Sequence, residues 1–333
     1  MSPERVETAT SGWSTSTPLP LAVQEIYPTA LQGRIHLAGG FVAESGAITG
    51  PTNAHQVFDP ERGAWSAGLP LPTARHHPHL IAFDGHLIAL GGFETPSADA
   101  IWVMQSSGWA ITADMATWES AAGENAPMES WASVPTLPRP AGEAVTAVID
   151  ANLHLVGGRR PAAEANATWQ DHTDTSEHFI LGGLDSVWET AAPIPTARNS
   201  AAASMIGENW HVVGGRTVAD GNTSAHEVYD AREDRWRTVA PLPQGQGGLA
   251  AASLGGKLYA FGGEYFQPSP GGVFSESWVY SPNEDAWSSI PEMPSPRHGL
   301  GAVTLNDEIY VIGGALGVGG QETSARVEIF TPQ

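Results

Sequence analysis

Glutamates, histidines and arginines recur in this sequence at fixed distances from two landmarks, tryptophans and Gly-Gly doublets. Ten residues beyond Trp65, Trp188 and Trp287 stand Arg75, Arg198 and Arg297, while Val23, Ala141 and Gln246 hold that place after Trp13, Trp131 and Trp236. The next place holds Gln24, His76, Gly142, Asn199, Gly247 and His298, and the one after it Glu25, His77, Glu143, Ser200, Gly248 and Gly299. Directly after the doublets come Phe41, Phe93, Arg159, Arg216, Glu264 and Ala315. A guanidinium is a planar fork of donors suited to carboxylate, sulfate or phosphate. Glu25, Glu143, Glu264 and His77, with His76 and His298 near them, are the groups able to move protons near neutral pH. Phe41, Phe93 and Tyr265, with Phe266 and Trp169, offer apolar faces to a sugar or aromatic ring, and Asn199 adds an amide.

The rest of the composition narrows the chemistry. Among 333 residues there are 36 acidic and 15 basic side chains, a formal charge of −21, and Lys257 is the only lysine. Nucleic acids and anionic membranes call for clustered positive charge, so neither is an expected partner. Cysteine is absent, which removes disulfides, thiolate metal sites, iron–sulfur clusters and cysteine nucleophiles. No apolar run approaches the roughly 18 residues of a membrane helix. The first residues lack an apolar signal core, so the expected location is the cytoplasm, or the periplasm or medium if a signal peptide has been removed. The His76-His77-Pro78-His79 string invites a metal, but no acidic residue at ligand spacing accompanies it, and no metal or other cofactor is assigned.

The elements that must position these residues follow from the register itself. Each doublet (39–40, 91–92, 157–158, 214–215, 262–263 and 313–314) begins 26 residues after a tryptophan at 13, 65, 131, 188, 236 or 287. Each tryptophan is followed seven residues later by a proline, at 20, 72, 138, 195, 243 and 294. Three residue types in one register six times define a repeat protein. Apolar alternation in Arg34–Ala38, Lys257–Phe261 and Glu308–Ile312 predicts a strand running into each doublet. Runs such as Ala201–Ile206 and Glu227–Asp230 predict others, giving four antiparallel strands per unit. His36, His154 and His211 sit where Tyr259 and Tyr310 sit in units five and six, and read as framework substitutes for tyrosine. In unit two, Trp109 competes with Trp131 for the framework place, and 105–130 reads as an insertion between the third and fourth strands.

With its doublets, its tryptophans and an aromatic seven residues before the tryptophan (Phe58, Tyr229, Tyr280), the chain resembles the kelch-repeat family over residues 12 to 333. That resemblance implies an all-β, six-bladed β-propeller. The expected organisation is a tail at 1–11, then blades at about 21–72, 73–138, 139–195, 196–243, 244–294 and 295–333, with residues 12–20 completing the last. A strand supplied from the other chain end removes an exposed sheet edge. In such a ring the turns that follow the tryptophans and the variable segments that follow the doublets lie on one face. Five arginines, Arg75, Arg198, Arg297, Arg159 and Arg216, are then expected at the mouth of the central channel as a local positive focus. A second role is open to the first three, because kelch repeats often carry arginine there as framework.

Among relatives of this kind, bacterial sialate mutarotases, named epimerases in some descriptions, are similar in size and blade number and use a glutamate and an arginine at the mouth. Glu264 matches the glutamate, whereas Pro270 stands where the arginine would be, so Arg216 or Arg297 would have to substitute. Copper oxidases resembling galactose oxidase need a cysteine that is missing, and the Glu-x-x-x-Asp-x-x-x-His string of the iron-dependent specifier proteins is not found. The expectation is therefore a monomer that binds a small anionic or polyhydroxylated ligand, with proton-transfer chemistry of mutarotase, epimerase or lyase type and no redox cofactor. The alternative is a non-catalytic kelch module that binds acidic peptides.

Overall fold

A computed structural model describes residues 12–116 and 130–332. The expected tail, 1–11, and residues 117–129 of the expected insertion lie outside the described residues. Six four-stranded antiparallel sheets are arranged as the blades of a propeller. Their innermost strands are Thr29–Leu31, His79–Phe83, Val145–Ile149, Ala202–Ile206, Ala250–Leu254 and Gly301–Leu305. The sixth blade runs Gly301–Leu305, Glu308–Ile312, Val327–Phe330 and finally Trp13–Thr15, where Trp13 faces Phe330. The ring is thus closed by the first described strand, as the repeat register predicts.

Two of the residue types that carry the register, glycine and tryptophan, make bonds between blades. The second glycine of every doublet donates its N–H to a carbonyl of the next blade: Gly40 to Arg75, Gly92 to Ala141, Gly158 to Arg198, Gly215 to Gln246, Gly263 to Arg297 and Gly314 to Val23, all at 2.8–2.9 Å. Both doublet positions have positive φ. A Cβ on Gly262 would stand 2.3 Å from the Arg297 carbonyl oxygen, so close approach as well as backbone angle demands glycine there. Every framework tryptophan donates its indole N–H to the preceding blade, as from Trp65 to Thr17 at 3.0 Å and from Trp236 to Ala192 at 2.8 Å. Trp131 does so to Leu69 at 3.1 Å. That settles unit two: Trp131 holds the framework place, and Trp109 lies on the third strand, Gly108–Thr112, beneath Arg75. The expected start of the insertion at 105 is corrected, because 108–112 is the third strand itself; the insertion follows that strand and opens with a helical turn at Ala113–Ala116.

Apolar clusters fill the interfaces between blades, as where Leu258 and Val228, both 0 % exposed, meet Tyr280. Their burial, at roughly 25 cal/mol per Å² of apolar surface, supplies the main stabilising contribution. In blades one, three and four a pair of buried histidines joins the second and third strands: His36–His55, His154–His178 and His211–His226, at 3.0, 2.9 and 3.0 Å. No helix among the described residues is long and apolar enough to cross a membrane.

Candidate functional site

Two repeated places meet on one face because short bridges tie them within each blade: Gln24 to Phe41, His76 to Phe93, Gly142 to Arg159, Asn199 to Arg216, Gly247 to Glu264 and His298 to Ala315. The following place, Glu25, His77, Glu143, Ser200, Gly248 and Gly299, is in the left-handed region in all six blades. Five of its N–H groups, those of all but Glu143, donate from blade to blade, as from Glu25 to Gly299 at 2.7 Å, His77 to Glu25 at 3.0 Å and Gly248 to Ser200 at 2.9 Å. This inner circle of main chain sets the mouth and points its side chains toward the axis. Glycine at 248 and 299 leaves room for side chains that cross it. A Cβ on Gly299 would lie 2.7 Å from the Glu25 carboxyl, and one on Gly248 2.9 Å from Arg216 Nη2.

Three carboxylates fill this layer, paired with His77, Arg159 and Arg216. His77 Nε2 lies 2.8 Å from Glu25 Oε2 and 3.8 Å from Glu143 Oε1. Arg159 Nε pairs with Glu143 Oε2, whose Oε1 also accepts the Ser200 hydroxyl at 2.7 Å. Arg216 Nη2 donates to Glu264 Oε1 at 2.9 Å, and the Gly319 N–H donates to Glu264 Oε2 at 2.7 Å. His298 Nδ1 stands 3.6 Å from Glu25 and 3.5 Å from Glu264, beyond hydrogen-bond reach of both, and both its ring nitrogens are buried without a partner. Of the three carboxylates only Glu25 shows appreciable side-chain exposure, 19 % against 6 % and 4 % for Glu143 and Glu264. Behind the layer lies a channel cavity of about 170 Å³, lined by Tyr27, His79 and small apolar residues of all six innermost strands.

Hydrogen-bond accounting fixes where a mobile proton sits. His76 Nε2 is 2.8 Å from the Ile101 carbonyl, which can only accept, so Nε2 carries hydrogen. Burial holds the His76 ring well below the usual imidazole range, so it is neutral and its Nδ1 is an acceptor. His77 Nδ1, 2.7 Å away, must therefore be the donor. The other nitrogen of His77 faces the Glu25 carboxylate, so one further proton lies between them. Burial pushes the Glu25 carboxyl up, but His77, His298 and Arg216 more than offset that and hold it well below the usual carboxylate range. The 2.8 Å hydrogen bond from His77 Nε2 to Glu25 Oε2 is therefore a proton shared by the two groups. For Glu143, too, burial acts upward and Arg159, His77 and Arg216 act downward, leaving the carboxyl low. Burial works against the Arg216 charge, but Glu264, Glu143 and Glu25 together raise it.

Several expected site residues turn out to be framework. Arg75, Arg198 and Arg297 are 1 %, 2 % and 0 % exposed and do not open onto the channel. Arg297 bonds the Gly313, Ser295 and Val311 carbonyls and Glu328 Oε2 at 2.7 Å. Arg198 is held in the same way by Gly214, Thr196, Val212 and Glu227. Arg75 is held by Gly91, Ser107 and Glu94. The physical reason is desolvation: a guanidinium this deep must place its donors on fixed acceptors. The expected positive focus is thereby corrected to a mixed cluster in which three carboxylates meet Arg159, Arg216 and His77. Phe41 and Phe93 are not open faces either, since they sandwich His76 at 3.8 and 4.9 Å between ring centroids. Asn199, 0 % exposed, braces the layer through Asp174 at 2.6 Å. Tyr265 is half-buried, against Phe274. Asp174 and Tyr27 join the site without a sequence signal, Asp174 because it follows a loop of variable length.

A family model described as the KLHDC2/KLHL20/DRC7 Kelch-repeats domain matches residues 125–314, more than half of the chain, and a Kelch motif model matches 296–333. The chain belongs to the kelch-repeat family. This kelch protein is 28 % identical over 330 residues to the Kelch-like protein terF of Aspergillus terreus, covering 96 % of this chain and 68 % of that one. It is 29 % identical over 165 residues to mouse Kelch-like protein 35, covering 50 % of this chain but 24 % of that one. A solved structure titled "Structure of YjhT" superposes with a TM-score of 0.77 over 96 % of this chain and 98 % of that chain. At 16 % identity this likeness concerns the fold alone.

Proposed function

We propose that this kelch propeller binds a polyhydroxylated small molecule, a sugar or sugar acid, at its mouth and moves a proton on it. The observation that carries the reading is the 2.8 Å pairing of His77 Nε2 with Glu25 Oε2, the most exposed carboxylate of the layer. A balanced cluster of donors and acceptors suits hydroxyl groups better than a bare anion, which would meet three carboxylates. In a mutarotation the shared proton passes through Glu25 to the ring oxygen as the C1–O5 bond breaks. A neighbouring carboxylate, Glu264 or Glu143, takes the hydroxyl proton from O1, and recyclisation on the other face returns both protons. Epimerisation or β-elimination would use the same acid and base on a C–H adjacent to a carboxylate. The resemblance to sialate mutarotases supports this class, with Arg216 beside Glu264 and Arg297 withdrawn from the site.

The test is anomer exchange of galacturonic and N-acetylneuraminic acids, followed by NMR exchange spectroscopy with wild type and Glu25→Gln. Exchange above buffer that falls at least tenfold in Glu25→Gln supports the reading; no exchange above buffer with either sugar acid removes it.

One observation favours the interaction reading. Ile48, Ile101, Trp169, Val218 and Phe266, five of the exposed large apolar side chains, sit one to each crossover loop of blades one to five, on the face of the mouth. Stable co-purification of a partner, lost in Trp169→Ser, would promote that role over the small-molecule one.

A further inference from the structure

Beside the mouth, between blades four and five, the crossover loops enclose a groove of about 800 Å³. That volume falls within the range of built small-molecule sites, roughly 300–1,000 Å³. Phe266, a residue 51 % exposed, lines it, and the Arg216 guanidinium carbon stands over its ring at 5.5 Å from the centroid. Arg216 joins groove and mouth. Its Nη2 is bound to Glu264, whereas Nη1 has no hydrogen-bond acceptor among the described residues. Around the ring stand Gln244, Gln267 and Glu276, none of which makes a side-chain hydrogen bond or ion pair with the described residues. Asn222 donates to the Glu264 carbonyl at 2.6 Å and keeps its amide oxygen free. Tyr265 and Phe274 also line the groove, with their rings 5.0 Å apart and Phe274 6 % exposed.

A flat aromatic face rimmed by unengaged amides, one guanidinium N–H and one carboxylate has the complement of a pyranose. The weakly positive C–H edges of such a ring meet the π face, and its equatorial hydroxyls need donors and acceptors together. An inorganic anion has no flat face to lay on the Phe266 ring, whereas a uronate unit offers both a ring face and one carboxylate for the open Arg216 Nη1. We infer that this groove is a second carbohydrate subsite, so that the ligand is an acidic disaccharide or longer chain with one unit at the mouth and the next over Phe266. The inference rests on the sugar-acid reading of the mouth and extends it to an oligosaccharide.

The experiment is titration calorimetry of galacturonate, digalacturonate and trigalacturonate with the wild type, Phe266→Ala and Gln244→Ala. The dimer should bind at least tenfold tighter than the monomer. Phe266→Ala should abolish that gain while leaving monomer affinity unchanged, and Gln244→Ala should reduce it in part. Phe266 is a surface side chain, so its loss leaves the blades intact, which near-UV circular dichroism verifies. Equal affinities for monomer and dimer, or an equal loss of both in Phe266→Ala, overturn the groove subsite and leave the mouth reading standing. Absence of binding by all three sugars overturns both.

Discussion

Acid should unfold this propeller through its three buried histidine pairs. In each, the third-strand ring donates Nδ1–H to a carbonyl, of Leu69, Ala192 or Ala240, at 3.0–3.1 Å. That leaves its Nε2 as acceptor for the second-strand histidine, so both rings are neutral. All six are 2 % exposed or less. Burial pushes His36 and His211 down to about 3, and His55, His154, His178 and His226 down to about 4. Because the folded values lie below the unfolded one, the unfolded chain binds more protons between about pH 6.5 and 4, and stability falls as pH falls through that window. At pH 5.5 each histidine then costs about 1.4 kcal/mol, or about 8 kcal/mol for six, against a usual total of roughly 5–15.

The assay is urea unfolding from pH 8 to 5, which gives the number of protons taken up on unfolding. Blade five supplies the control, since Tyr259 and Ser277 occupy its equivalent places. Transplanting that pair as His211→Tyr with His226→Ser should lower the proton uptake near pH 5.5 by about two. An unchanged pH slope in that variant, or stability flat from pH 8 to 5, would refute the reasoning.

Further outcomes separate framework from site. Arg198→Ala leaves Glu227 buried without its partner and should cost about 3–5 kcal/mol in denaturant melts. Arg216→Ala likewise leaves the 4 % exposed Glu264 without its guanidinium, and should show in sugar binding as well as in stability, whereas Arg198→Ala should show in stability alone. Gly299→Ala places a Cβ against the Glu25 carboxyl on a left-handed residue; it should depress anomer exchange at least tenfold, read by NMR. Removal of residues 1–20 takes away the strand that faces Val327–Phe330 and the Trp13 bond to Pro291. It should abolish soluble expression. Trp131→Ala should cost about 3–5 kcal/mol in thermal or urea melts, and Trp109→Ala clearly less.

The fold was legible because the register residues are the ones that bond blade to blade. A Gly-Gly doublet, a tryptophan N–H and a left-handed inner turn recur wherever the ring needs them, whatever the blade carries elsewhere. The site was legible only as a set of places. Spacing brought Glu25, His77, Glu143, Arg159, Arg216 and Glu264 to one layer, but spacing does not tell an open side chain from a buried one. Arg297 and Arg216 occupy different repeated places, and the spacing left Arg297 open to either role; Glu328, two strands along the blade, takes it out of the site. The histidine partners His55, His178 and His226 escaped notice because loops of different length precede them. Their signal was internal covariation: third-strand histidine appears only in blades whose second strand also has one.

The most direct test is the protonation of His77 itself. With ¹⁵N-labelled histidine, long-range ¹H–¹⁵N correlation at neutral pH, assigned by loss of the signal in His77→Gln, should show both ring nitrogens of His77 protonated and those of His76 in a single neutral tautomer. A neutral His77 ring beside an ionised Glu25 would contradict the shared proton, and with it the proposed chemistry of the mouth.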